Sequence, residues 1–60
     1  MSVTEMLNDM MIAIQDVIPD AKKFDAGNNA AGTRVRKAMM ELKLAAQEVR
    51  NEVTKVKDAR

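Results

Sequence analysis

Sixty residues, with ten Lys and Arg against nine Asp and Glu, give a net charge of +1 and room for one small domain or one supersecondary unit. No histidine, cysteine, tyrosine or tryptophan is present and Ser2 is the only serine, which leaves no set for nucleophilic catalysis or a zinc centre. No disulfide or zinc site can brace so short a chain, so oligomerisation is the expected support, and the lack of cysteine fits a reducing compartment.

Helix 1 is expected over about residues 3–24. Val3, Leu7, Met10, Ile14, Val17, Ala21 and Phe24 recur at alternating steps of four and three, the spacing of a coiled-coil seam. Met6, Met11, Ala13 and Ile18 widen that stripe on both sides. One neighbouring helix cannot cover so broad an apolar surface, so helix 1 needs neighbours on two sides. An oligomer interface is therefore expected at Val3, Met6, Leu7, Met10, Met11, Ile14, Val17 and Ile18. Pro19 removes one helical hydrogen bond. It predicts either a kinked continuous helix or a break near Ile18 with a restart at Pro19 and Asp20.

The turn is expected at about residues 25–29. Gly27 suits the left-handed residue just past a helix end, and Asn28 or Asn29 can cap the next helix. Helix 2 is expected from about 30 to 58, with Val35, Met39, Leu42, Ala46, Val49, Val53 and Val56 in an uninterrupted four-three pattern. Ala31, Ala38, Ala45 and Ala59 lie beside it and leave one flank small enough for close backbone approach. Together these elements predict an all-α fold, an antiparallel helical hairpin with coiled-coil-like seams. Two such hairpins joined through helix 1 make a four-helix bundle, so a homo-oligomer, dimer or tetramer, is expected.

The charges are unevenly placed. Residues 1–20 carry Glu5, Asp9, Asp16 and Asp20 without a side-chain cation, whereas Lys22, Lys23, Arg34, Arg36 and Lys37 gather around the turn against Asp25 alone. A helix start with free N–H groups and nearby cations attracts anions, phosphate above all. Along helix 2, Arg36, Lys43, Arg50 and Lys57 repeat every seven residues on one side with no acidic interruption. Such a strip is either a solubilising helix flank or a ladder for a polyanion backbone such as that of DNA. Phe24 is the only aromatic residue, so recognition of single strands by base stacking is not expected. Glu41, Glu48 and Glu52 are expected in intrahelical pairs with neighbouring cations. Met40 and Leu44 make a small outward apolar spot. The run Met10–Ile14 is too short to span a bilayer, and a cytoplasmic protein is expected.

The segment Gly27-Asn28-Asn29-Ala30-Ala31-Gly32-Thr33-Arg34-Val35-Arg36-Lys37, followed by Leu42, Ala46 and Arg50, resembles the bacterial linker-histone-like family of chlamydial type over roughly residues 24–53. Asn29 stands where that family usually has lysine. The resemblance implies a nucleoid-associated, non-enzymatic protein that binds and compacts double-stranded DNA, largely without sequence preference. Thr33, Arg34, Arg36, Lys37 and Arg50 match the motif, and Lys22, Lys23 and Lys43 complete the DNA-contacting set read from charge. No cofactor, metal, membrane or small-molecule substrate is implied. The competing expectation is a structural or adaptor coiled-coil module whose partner is another protein.

Overall fold

The computed structural model describes all sixty residues and contains two helices, α1 (Val3–Asp25) and α2 (Asn29–Ala59), packed against each other without strands. Ser2 is the N-cap of α1. The Ser2 side-chain oxygen accepts from the Glu5 backbone N–H at 3.1 Å and its hydroxyl donates to Glu5 Oε1 at 3.0 Å. α1 continues through Pro19, so the continuous alternative is the one adopted. Pro19 and Gln15, whose carbonyl loses its partner, are both exposed. Water can therefore satisfy that carbonyl, which lowers the cost of the missing bond.

The connection is three residues long. Gly27 adopts φ 109°, donates its N–H to Phe24 O at 2.9 Å, and Asn28 donates to Lys23 O at 3.0 Å. These two bonds close a Schellman motif with Gly27 in its left-handed position. A Cβ at Gly27 would meet nothing within 4 Å, so conformation rather than space requires glycine there. Asn28 then caps α2, its Oδ1 accepting from the Ala31 N–H at 3.1 Å. One residue thus ends the first helix and starts the second, which forces an antiparallel return.

Ala31 is the only buried residue of the chain. Half-buried residues mark the rest of the seam: Met6, Met10, Val17 and Ala21 on α1, with Val35, Ala38, Leu42, Ala45 and Val49 on α2. The heptad reading of both helices therefore needs a rotation. Val3, Met10, Val17 and Ala21 face inward as expected, but Leu7, Ile14 and Phe24 are exposed. On α2 the alanine flank takes part in the contact, while Met39, Ala46, Val53 and Val56 are exposed. Small side chains account for the shift, because alanine on α2 leaves room for the larger side chains of α1.

Phe24, 48% exposed, lays its ring on Gly32 in the first turn of α2. A Cβ at Gly32 would sit 2.7 Å from the ring Cε1 and closer still to Cδ1. Gly32 is thus a seat for the ring rather than part of the turn. At ~1.5 Å per residue, the 31 residues of α2 outrun the 23 of α1 by about 12 Å, leaving its last two turns without a partner in the chain.

The ring and its seat form a coupled pair. Gly32→Ala is expected to stabilise a Phe24→Ala background by about 0.5–1 kcal/mol through helix propensity. In the presence of Phe24 that gain should vanish or reverse as the ring is displaced. Chemical denaturation of the four proteins in the double-mutant cycle measures this, and equal effects of Gly32→Ala in both backgrounds would refute the contact.

Candidate nucleic-acid interface

A single ion pair joins the two helices and marks which levels lie side by side. Arg34 donates from Nε to Asp20 Oδ1 at 3.0 Å, and its Nη2 lies 3.0 Å from the same oxygen. Asp20 retains 24% side-chain exposure and Arg34 51%. The hydrogen bond from Arg34, helped by the charges of Arg34 and Lys23, holds the Asp20 carboxyl below its ordinary value of 3.8 against a smaller opposing effect of burial.

With Asp20 level with Arg34, the antiparallel run sets Asp16 and Asp9 across from Ala38 and Ala45. It likewise sets Glu41 and Glu48 across from Ala13 and Met6. These residues line one continuous groove along a single side of the hairpin. Its rims are acidic and Arg34 is its only side-chain cation. Glu41, Glu48 and Glu52 make no ion pair, contrary to the expected intrahelical pairing, because the bridge between Arg34 and Asp20 is the only salt bridge in the chain.

The opposite side carries the other sign. Successive residues turn by roughly 100°, so Arg34 and Arg36 lie about 160° apart around α2. Arg36, Lys43, Arg50 and Lys57 form an exposed file there, with Lys22 of α1 on the same side, and Asp25 at the turn and Asp58 beside Lys57 are the carboxylates nearest them. Between file and seam, exposed Leu7, Met11, Ile14, Ile18 and Met39 make an apolar band. Gln47 pairs with Asn51 and Thr54 donates to the Arg50 carbonyl, so neutral side chains border the file without cancelling its charge. Lys23, Thr33 and Lys37 are exposed on outward surfaces near the turn. The cations read as one basic tip are therefore divided: Arg34 belongs to the acidic side and Arg36 to the cationic side. The Ala31 N–H is buried and capped, which removes one of the first-turn donors that an anion would use.

Of the expected oligomer residues, Val3, Met6, Met10 and Val17 are half-buried, whereas Leu7, Met11, Ile14 and Ile18 stay open. No helix is long and apolar enough to cross a membrane.

The pH dependence of the bridge follows from its sign. A carboxyl with a lowered folded-state value contributes stability that is fully present above 3.8 and is lost as pH falls through that lowered value. Asp20→Asn should therefore melt slightly below the wild type at neutral pH, and the difference should close as pH drops beneath 3.8. Thermal melts across acid pH test this, and a difference that persists in strong acid would show that the contact is not ionic.

Comparison with known proteins agrees with the resemblance read from the turn and extends it. The family described as histone H1-like protein Hc1 matches residues 4–59, taking in α1 as well as the turn and α2. No curated protein and no solved structure matches the chain. Almost the whole hairpin is covered by that one family match, and the chain belongs to the histone H1-like Hc1 family.

Proposed function

We propose that this protein is a nucleoid-associated, histone-like DNA-binding protein that acts as a homo-oligomer and compacts or bridges duplexes with little sequence preference. Family membership supports the DNA-binding class. The single observation that carries the mode of contact is the division of charge between the two sides of the hairpin. The file Arg36, Lys43, Arg50 and Lys57 repeats at about 10.5 Å and extends about 31 Å, close to one turn of duplex. Each cation replaces condensed counterions on a phosphate, and no member reads a base edge, so the contact is sequence-independent and salt-sensitive. Lys22, Lys23, Thr33 and Lys37 supply further phosphate contacts near the turn. Arg34 has a structural task in the bridge to Asp20, and its share in DNA contact is correspondingly smaller.

Self-association follows from the apolar band. One buried residue gives a lone hairpin almost no core, and Leu7, Met11, Ile14 and Ile18 together form a contiguous open surface. Covering it with a second copy supplies the missing core and leaves the cation files at the rim, their stems packed and their heads in water. An oligomer then carries several files on one particle, and avidity compensates for the weakness of each.

Mobility shifts on random-sequence duplex at a series of salt concentrations test the file. Affinity should fall with salt, and neutralising Arg36, Lys43 and Arg50 to Gln should flatten the log–log slope by about 0.9 per residue and copy. An unchanged slope would remove the file from the mechanism. The band is tested separately. At high salt the wild-type melting midpoint should rise with protein concentration, and Ile14→Lys should abolish that dependence and reduce the sedimenting mass to one chain. A wild type that sediments as a stable single chain would end the oligomer reading.

A further inference from the structure

We propose that the acid-rimmed groove of one copy receives the cation file on α2 of a second copy, so that chain–chain contact and DNA compete for the same side chains. The proposal builds on the reading of that file as the DNA-contacting surface. The groove has an apolar floor, open because Ala13, Ala38 and Ala45 end at Cβ. Its carboxylates do not converge into a metal-binding group. They are spaced along the groove instead: Asp9 and Asp16 stand seven residues apart on one rim, Glu41 and Glu48 seven apart on the other. Both spacings are about 10.5 Å, the repeat of the file itself. Arg34 already neutralises Asp20, and the other four carboxylates form two cross-groove pairs, Asp16 with Glu41 and Asp9 with Glu48, about 10.5 Å apart, so that they face two successive cations of the file.

The apolar parts also correspond. Met40, 58% exposed, stands one helical turn from both Arg36 and Lys43 and offers a flexible side chain to the shallow floor. The cation stems add further apolar surface. Groove and file lie on opposite sides of the hairpin, so the contact is head-to-tail and leaves a free groove at one end and a free file at the other. Individual exposed ion pairs are weak, which makes the assembly reversible and sensitive to salt. Duplex DNA, with its denser charge, draws the file out of the groove.

Sedimentation of the full chain at low and high salt tests the contact. Lowering salt should raise the wild-type mass above its high-salt value. Two variants should lose that rise: a groove variant (Asp9→Asn, Asp16→Asn, Glu41→Gln, Glu48→Gln) and a file variant (Arg36, Lys43, Arg50 and Lys57 each →Gln). Mixing them should recover a larger complex, since one supplies the file and the other the groove. Circular dichroism identifies a variant that fails to fold, in which case Asp16→Asn with Glu41→Gln replaces the full groove set. A wild-type mass indifferent to salt, growth retained by either variant, or no recovery on mixing would overturn the proposal. So would binding of oligolysine by a wild type that does not grow, because the occupant would then be a basic peptide.

For competition, the groove pair Asp16→Asn with Glu41→Gln should bind duplex several-fold more tightly than a charge-matched control outside both groove and file, Glu5→Gln with Glu52→Gln. Equal affinities would overturn competition. If the wild type binds no DNA at all, the functional reading fails while the sedimentation comparison still decides the chain–chain contact.

Discussion

The packing of α1 against α2 in one rotation, set by the turn and joined by the bridge between Asp20 and Arg34, determines how charge is distributed on the molecular surface. Antiparallel helices with small residues at the contact can settle at several rotations. The tight turn through Gly27 and Asn28 removes most of that freedom, because Asn28 both closes the end of one helix and caps the next. Ala31, buried beside that cap, starts the seam, and Phe24 on Gly32 closes its other flank near the turn. Once the rotation is set, Asp9, Asp16, Glu41 and Glu48 fall on one side with Arg34, and the file from Arg36 to Lys57 falls with the apolar band on the other. Neither helix alone separates the charges in this way.

The turn was legible because its chemistry is local. Left-handed glycine followed by a capping asparagine has few other uses, and it specified both helix ends to within a residue or two. The Ser2 cap was equally local, written as Ser-Val-Thr-Glu ahead of an apolar run. The rotation of the helices was a different matter. On α1 the apolar residues cover so much of the circumference that a four-three pattern fits the strip through Leu7 and Ile14 as well as the one through Met6 and Met10. Choosing between them requires the partner, and the decisive partners are alanines, which carry little hydrophobic signal. Pro19 posed the same difficulty, since its cost depends on whether the orphaned Gln15 carbonyl faces water, and that too is a question of rotation.

Arg34 illustrates the limit most clearly. Its neighbours in sequence are cations and a turn, and proximity alone assigns it to the tip. Its actual partner, Asp20, lies fourteen residues away and comes within reach only when the hairpin closes in one register. Arg36, two positions on, looks interchangeable in the sequence but occupies the other side of the helix. A motif read as a string groups these side chains, whereas the helix separates them.

That separation also bears on how a chain of net charge +1 can serve a histone-like role. The hairpin is only 12–15 Å across its two short dimensions. At physiological ionic strength the screening length is about 8 Å, so a phosphate beside the cation file is largely shielded from carboxylates on the far side. Local potential, not net charge, then governs the encounter. In dilute salt the screening length grows to about 30 Å and exceeds the thickness of the molecule. The acidic side then weakens attraction to phosphate, while attraction between the groove of one copy and the file of another strengthens. A two-sided distribution of charge on so thin a scaffold therefore makes ionic strength set the balance between proposed self-contact and proposed DNA contact, a balance that a uniformly basic hairpin could not have.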